Sequence, residues 1–265
     1  MTTGPVPPVA VVTGAASGIG RAFVLELARR GYACVGADLD ESALGDIAGE
    51  LATDKWLGVV ADVSRATDVE RLAEFSFDRF GRVDLLINNA GTLATGKSWE
   101  MPIATWRRVL DINLFGPVHA VHSFVPRLIA QGFGQVVNIA SAAALAAHAH
   151  TAAYAASKHG LLALSESLAR ELAAMGSPVR VSVVFPGAVR TGIARELVAD
   201  AGNATLPINR LLVDLATKGA EPQGVVRQVL REVEAGTFAI FPQTKVRDRA
   251  SERLKTLLGG KLPVG

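Results

Sequence analysis

The 265-residue chain has a single cysteine, Cys34, so it can form no internal disulfide, and this points to a reducing compartment, the cytoplasm. Cys34 stands in the apolar run Ala33-Cys34-Val35 with nothing nearby to lower a thiol pKa. It therefore reads as a buried strand residue and not a nucleophile. Long apolar runs are also lacking. No window approaches the roughly 20 residues of a membrane span, and the longest apolar stretch, Ala142 to Ala149, is alanine-rich and contains His148. The segment Met1 to Pro8 has neither a basic region nor an apolar run, which argues against a signal peptide. Charge of one sign is scarce too. The net charge of +2 gives no electrostatic case for nucleic-acid binding. Apolar residues make up 49 % and charged residues 20 %, enough core to exclude disorder. The length suits one large α/β domain over residues 1–265 better than two ordinary ones, and no repeat or linker divides it.

Short β-branched runs alternate with helical patterns. Strands are expected at Val9–Val12, Ala33–Ala37, Leu57–Ala61, Leu85–Ile87, Val136–Ile139, Val179–Phe185 and Phe238–Phe241. Helices are expected at Gly20–Arg30, Glu41–Leu51, Ala66–Phe80, about Thr105–Gln131 with bends at Pro117 and Pro126, Tyr154–Met175 and Glu221–Ala235. The strands are continuous apolar runs, as in strands covered on both faces. That predicts a doubly wound, predominantly parallel seven-stranded sheet with helices on each side.

Thr13-Gly-Ala-Ala-Ser-Gly-Ile-Gly20 follows the first strand and opens the first helix. Gly14 permits a sharp turn, Gly18 a close approach of backbone to a pyrophosphate, and Gly20 close packing of the helix. Ser17 and Ile19 share this loop, and the helix N-terminus offers free amides to an anion. Asp38 closes the second strand, 18 residues after Gly20. A carboxylate there accepts ribose hydroxyls and repels a 2′-phosphate. Leu39 follows it and Ala15-Ala16-Ser17 carries no cation, so NAD(H) is favoured over NADP(H). The plainer reading makes Asp38 a helix cap, a task Asp40 can perform as well.

Further stretches resemble the short-chain dehydrogenase/reductase family along nearly the whole chain. They are the glycine loop at 13–20, Asp62-Val63, Asn88-Asn89-Ala90-Gly91, Asn113, Ser141, Tyr154-x-x-x-Lys158 and Pro186-Gly187 with Thr191. Ser141 precedes Tyr154 by 13 residues, as in that family. The resemblance implies a Rossmann-type fold and an NAD-dependent short-chain alcohol dehydrogenase or carbonyl reductase. It implies that Asp62 and Val63 hold the adenine, and that Asn89, Ala90 and Gly91 line the adenosine ribose and secure the sheet. Ile139 would lie under the nicotinamide, and Pro186, Gly187, Val189 and Thr191 would hold the carboxamide and pyrophosphate. Asn113, Ser141, Tyr154 and Lys158 would form the catalytic tetrad.

The chemistry suits those residue types. Removing the proton of an alcohol calls for a base, and free tyrosine, with a pKa of about 10, is a poor one at neutral pH. A nearby cation favours the phenolate. Lys158, four residues after Tyr154, shares its helix face. Tyr154 is thus expected as general acid/base, with Lys158 lowering its pKa and holding the nicotinamide ribose. Ser141 would hydrogen-bond the substrate oxygen, and Asn113 would position a water linking Lys158 to solvent. Alone, a tyrosine and a lysine at this spacing would be an ordinary helix start with a snorkelling lysine. Asn138 is expected to satisfy local backbone groups.

The substrate walls are expected from Thr92–Trp99, Ala142–His150 and the segment after Thr191. They offer Leu93, Ile193, Leu197, Val198, Leu206 and Leu211 and no arginine pair for a carboxylate, which suggests an apolar or bulky alcohol or ketone. Arg190 and Arg195 weaken that reading. His148 and His150 edge the pocket or a helix cap, a metal site being the alternative. Gly192–Lys218 reads as a mobile lid hinged at Gly192, Gly202 and Gly219. The tail 245–265 carries six basic residues (Lys245, Arg247, Arg249, Arg253, Lys255 and Lys261) against Asp248 and Glu252, a net charge of +4. It suggests a basic helix, either solvated or at a subunit contact, with an anionic membrane surface as the other reading. Family members usually form homo-dimers or homo-tetramers, so a homo-oligomer is expected. The alternatives are an NADPH-dependent reductase and a non-catalytic NAD(H)-binding sensor.

Overall fold

A computed structural model of the chain describes residues 6–51, 53–194 and 206–263. Seven strands form one sheet: β1 (Val9–Thr13), β2 (Ala33–Asp38), β3 (Trp56–Val60), β4 (Leu85–Asn88), β5 (Gln135–Ile139), β6 (Arg180–Val184) and β7 (Ala239–Ile240). Their spatial order is β3-β2-β1-β4-β5-β6-β7, and every pairing is parallel. Parallel neighbours need crossovers. These are α1 (Gly18–Arg29), α2 (Glu41–Leu51), α3 (Ala66–Phe80), α4 (Ile103–Leu110) continuing into α5 (Gly116–Gln131), and α6 (Ala152–Ala174). Between β6 and β7 lie α7 (Pro207–Lys218) and α8 (Pro222–Glu234), and α9 (Thr244–Leu258) follows β7. The result is the doubly wound parallel sheet read from the sequence.

The two-residue period of the strands divides the core. Val9 and Val11 of β1, Val35 of β2 and Leu86 of β4 face α3, α5 and α6, where they meet Leu72, Phe124 and Leu128. Ala10, Val12, Cys34, Leu85 and Ile87 face the opposite way, onto Phe23 and Leu27 of α1, Ile47 of α2 and Val226 of α8. Each such aliphatic side chain contributes about 1.5–3 kcal/mol on burial. Cys34 is one of these core residues, and burial pushes its thiol up to about 12. One strand departs from expectation. β3 is an edge strand with Val60 exposed, so it is not covered on both faces as its apolar run suggests.

The long helix expected near 105–131 is interrupted before Pro117, not bent at it. Residues Asp111–Phe115 form a π-type turn, after which α5 restarts with Pro117 in its first turn. Proline lacks the N–H that would close a normal α-turn, so the backbone widens just upstream. Pro126, by contrast, lies inside α5 without ending it. The wide turn carries Asn113, fully buried. Part of the proposed lid is regular: a 3-10 turn spans Gly192–Ala194 and α7 spans Pro207–Lys218, while Arg195, Leu197, Val198 and Gly202 lie outside the described residues. The basic tail forms α9, anchored by Val246 with Leu254, Leu257 and Leu258 exposed. Among the described residues, no helix is long and apolar enough to cross a membrane.

Candidate active site

The strand order reverses between β1 and β4, and the loops leaving their carboxyl ends open a crevice there. The glycine loop follows β1. Gly14 adopts φ +64°, and a Cβ on it would stand 2.8 Å from the Ala90 Cα. A Cβ on Gly20 would stand 1.9 Å from the Gly14 carbonyl oxygen. Gly20 is thus required by the loop folding back on the helix as much as by helix–sheet packing. The helix begins at Gly18, two residues earlier than expected, and Ser17 makes no side-chain hydrogen bond to its first amides. Those amides therefore face the crevice mouth uncapped, as an anion site requires. Gly18 faces the Thr191 side chain, bringing 14–20 and 186–191 together.

Asp38 lies at the end of β2, beside this loop. Its Oδ2 accepts from the Ala16 amide at 2.9 Å, and its Oδ1 from the Leu39 and Asp40 amides at 2.8 and 3.2 Å. Capping of α2 falls to Asp40, whose Oδ1 accepts from the Ala43 amide at 3.0 Å. Asp38 thus fixes the phosphate loop while presenting a half-buried carboxylate. Asp62 is shaped by a local turn in which Ser64 donates to Oδ1 from both its amide and its hydroxyl. Val63 beside it is buried, and its carbonyl accepts from His119 Nδ1 at 3.0 Å.

The floor of the crevice is a belt of buried polar side chains. The Thr13 hydroxyl accepts from the Asn89 and Ala90 amides, and Asn89 Nδ2 donates to the Thr13 and Gly14 carbonyls at 2.9 and 3.1 Å. Asn89 thereby ties β4 to β1. Asn138 does not serve the local backbone, as the sequence reading had it. It accepts from Asn88 Nδ2 at 2.8 Å and donates to the Ser165 hydroxyl at 2.9 Å, because β4, β5 and α6 meet there. On the far side, Gln243 accepts from the Gly187 amide and donates to the Ala188 carbonyl, clamping the Pro186–Thr191 loop. Thr13, Asn88, Ser165 and Gln243 went unassigned in the sequence. Thr13 and Asn88 had signals there, their places at the head of the glycine loop and in the Asn-Asn-Ala-Gly stretch.

The four expected tetrad residues converge from three elements. Ser141 follows β5 and caps a 3-10 turn through the Ala143 amide. Burial raises the Tyr154 pKa, and the neighbouring Ser141 hydroxyl opposes that rise. Lys158 is buried, and its ammonium donates to the Ile139 carbonyl at 2.9 Å. Its Nζ lies 5.9 Å from the Tyr154 ring centre. In this state the downward influence on Tyr154 comes from Ser141, because the ammonium is turned to the end of β5. Burial pushes Lys158 itself down to about 8. Asn113 exchanges two hydrogen bonds with the Thr92 backbone and donates to the Ser157 hydroxyl at 3.0 Å. A Cβ on Gly91 would stand 3.3 Å from Asn113 Oδ1 and 3.6 Å from Lys158 Nζ, so these two side chains flank one point of the loop.

Residues 8–202 match the model of the family described as short chain dehydrogenase. The chain belongs to this family. As such it is an oxidoreductase that acts on alcohols. Among its relatives, the 1-deoxy-11-beta-hydroxypentalenate dehydrogenase of Streptomyces exfoliatus is 43 % identical over 198 residues, covering 73 % of this chain and 71 % of that protein. The cyclohexanol dehydrogenase of an Acinetobacter species is 35 % identical over 206 residues, 77 % of this chain and 81 % of that one. A short chain dehydrogenase/reductase from Burkholderia phymatum, solved in complex with NAD, superposes with a TM-score of 0.92 at 32 % identity, covering 98 % of this chain and 97 % of that one.

Around Tyr154 the packing of this short-chain dehydrogenase is apolar. Tyr154 packs with Leu93 and with Leu212, Val213 and Ala216 of α7. Leu211, an expected wall residue, is instead half exposed. The Thr95 hydroxyl donates to Asn209 Oδ1 at 2.6 Å, joining α7 to the loop after β4. A cleft of about 590 Å³ runs between the start of α1 and α7, lined by Ser17, Arg21, Thr191, Val213 and Thr217 among others. Arg190, on its rim, pairs with Glu221. Among the described residues, no group of three histidine, cysteine or acidic side chains is placed to hold a metal.

Proposed function

We propose that this dehydrogenase oxidises a secondary alcohol on an apolar skeleton with NAD⁺, or reduces the matching ketone with NADH, using Tyr154 as general acid/base. The observation that carries the reading is the buried Lys158 ammonium held on the Ile139 carbonyl, 5.9 Å from the ring centre of Tyr154 one helical turn before it, with Ser141 two residues beyond that carbonyl. The residues at the crevice fit a dinucleotide. The uncapped α1 amides suit a pyrophosphate, and Gly14 and Gly20 let the loop close tightly enough to present them, since a Cβ on either would strike neighbouring backbone. Asp38 places a carboxylate where a 2′-phosphate would be repelled, which supports NAD over NADP. Asp62, Val63, Asn89, Ala90, Gly91, Ile139, Pro186, Gly187, Val189 and Thr191 would complete the cofactor contacts.

NAD⁺, when bound, accepts the hydride. The chain's own residues handle the proton and the alignment. Ser141 Oγ holds the substrate oxygen beside the Tyr154 hydroxyl. Tyr154 takes the alcohol proton during oxidation and returns it during reduction. Lys158 supplies the positive charge that favours the phenolate, and its bond to the Ile139 carbonyl fixes that charge at the end of β5. Asn113 holds Gly91–Thr92 against α6 through its bonds to Thr92 and Ser157, keeping the loop beside Lys158 in register. Gly192–Lys218 would act as the lid, excluding water by seating Leu212 and Val213 against Tyr154. The basic α9 and the lid are parts of the same catalytic unit, residues 1–265, in this reading.

The test is absorbance at 340 nm with cyclohexanol and other secondary alcohols, each with NAD⁺ and NADP⁺, beside Tyr154→Phe. The Phe variant should lose about 10²- to 10⁴-fold in kcat/KM while still binding NADH. Equal turnover by the two proteins would overturn the mechanism. NADH binding without turnover of any alcohol would favour a sensor.

A further inference from the structure

His150 Nδ1 is a buried side-chain nitrogen with no hydrogen-bond partner, the one such atom among the described residues. An unpaired buried polar atom bears its whole desolvation cost, and native structures hold few of them. His150 is also the one described non-glycine residue with a positive φ, 66°. Left-handed backbone is unfavourable for a residue bearing a side chain, and such strain gathers at ligand sites. The turn is nonetheless held firmly. The His150 carbonyl accepts from the Gly96 amide at 2.9 Å, and the Thr151 hydroxyl donates to the His148 carbonyl at 2.8 Å.

The position gives this nitrogen a use. His150 precedes Tyr154 by four residues. Gly96, bonded to it, belongs to the loop whose Leu93 packs on Tyr154. Two walls of the substrate region therefore meet at His150. A capping role is not open to it, because Thr151 holds the N-cap position of α6 and no side chain caps that helix. Two described cations of the neighbouring segments are engaged, Lys97 with Glu100 and Arg190 with Glu221. Neither of these two cations is free to clamp a carboxylate, and a single imidazole nitrogen suits a single uncharged oxygen.

We infer that His150 is a specificity-determining residue whose Nδ1 hydrogen-bonds a second, uncharged oxygen of the substrate. The preferred substrate is then an apolar ring carrying the reacting alcohol and a further hydroxyl or keto group. The inference rests on the alcohol dehydrogenase reading above and names the substrate class of that same site.

Steady-state kinetics with NAD⁺ on cyclohexanol, a cyclohexanediol and a hydroxycyclohexanecarboxylate test it. The parent chain should favour the diol over cyclohexanol by about 5- to 10-fold in kcat/KM, through KM, as one added hydrogen bond allows. His150→Phe should abolish that ratio, with kcat for the diol changing less than KM. His150→Asn keeps a polar atom near the place of Nδ1 and tolerates left-handed backbone, so it should retain the ratio. NADH fluorescence titration shows that each variant is folded. An active parent that does not distinguish diol from cyclohexanol overturns the inference and leaves the dehydrogenase reading standing. So does a ratio that survives in His150→Phe, or a carboxylate favoured over the diol. A parent that turns over none of the three while binding NADH overturns both.

Discussion

Replacing Lys158 with methionine should stabilise the fold at neutral pH while disabling the site. Lys158 is 4 % exposed, and burial pushes its pKa from 10.5 to about 8. At about 1.4 kcal/mol per pKa unit, holding this charge inside the protein costs about 3 kcal/mol below pH 8. Methionine fills similar volume without the charge. It also leaves the Ile139 carbonyl without the ammonium that now donates to it at 2.9 Å, a loss of about 1 kcal/mol. The expected net gain at pH 7 is about 2 kcal/mol.

The pH dependence carries the stronger test. Between about 8 and 10.5 the unfolded chain still holds a lysine proton that the folded chain has released. Stability rises with pH wherever the unfolded state binds more protons. The parent therefore gains on the methionine variant through that window, and the variant's advantage fades by about pH 10. Below pH 8 the lysine is charged in both states and the difference is flat. Urea unfolding of both proteins from about pH 7 to about pH 10, followed by tryptophan fluorescence, measures it. A methionine variant less stable than the parent at pH 7, or a difference that does not vary with pH, would refute the reasoning. Turnover at 340 nm should meanwhile fall by orders of magnitude, since the charge that favours the Tyr154 phenolate is gone.

Asp38→Asn should raise the KM for NAD⁺ several-fold and narrow the preference over NADP⁺, because the repelling charge is lost; an unchanged ratio of the two KM values would count against the cofactor assignment. Gly20→Ala places a Cβ 1.9 Å from the Gly14 carbonyl, backbone against backbone, so a loss of about 3 kcal/mol or more is expected in urea unfolding, together with loss of NADH fluorescence enhancement. Asn138→Leu strands the buried Asn88 amide and takes a donor from the Ser165 hydroxyl, which keeps its own bond to the Leu161 carbonyl, and should cost about 1–3 kcal/mol by the same unfolding assay, whereas a residue serving only local backbone would cost less.

Much of this architecture is legible in the sequence because it is set by local patterns. The helices at 41–51 and 66–80 follow from apolar periodicity and are found at those bounds. The glycine loop is legible because its spacing follows a strand and opens a helix, although Gly14 and Gly18 answer to Ala90 and Thr191 far along the chain, and the approach of Lys158 to Tyr154 is legible because the two share a helix face. What was not legible depends on contacts far apart in the chain. The π-type turn at Asp111–Phe115 could be anticipated only as a proline bend. Its particular form follows from Pro117 lacking a donor where Asn113 must reach Thr92 and Ser157. Edge exposure of β3 is a property of the sheet's order and not of its own apolar residues. Gln243 gives no local sign, since its partners stand 55 and 56 residues away. His150 could be placed near the pocket, but neither its positive φ nor its unpaired nitrogen is written in its neighbours.

The buried polar belt explains why a site assembled from loops can hold catalytic geometry. Loops at strand ends have few apolar contacts, so their positions drift unless polar ties fix them. Here each segment has its own tie. Thr13 and Asn89 lock β1 to β4, Asn113 locks the Gly91–Thr92 backbone to α6, and Gln243 locks the loop after β6. Each grips the loop by its backbone, so it fixes the chain path and leaves neighbouring side chains free to serve the reaction. A misplacement of about 1 Å at such a site can cost about a hundredfold in rate. Loss of one tie should therefore reduce kcat before it unfolds the sheet, whose apolar layers on both faces are independent of the belt. Tyr154 gains most, because its ring packs on the Leu93–α7 cluster alone, with the Ser141 hydroxyl as its polar neighbour. A substrate entering beside Tyr154 would meet both the Ser141 hydroxyl and this apolar cluster, so an oxygen and an apolar skeleton would each find a partner there.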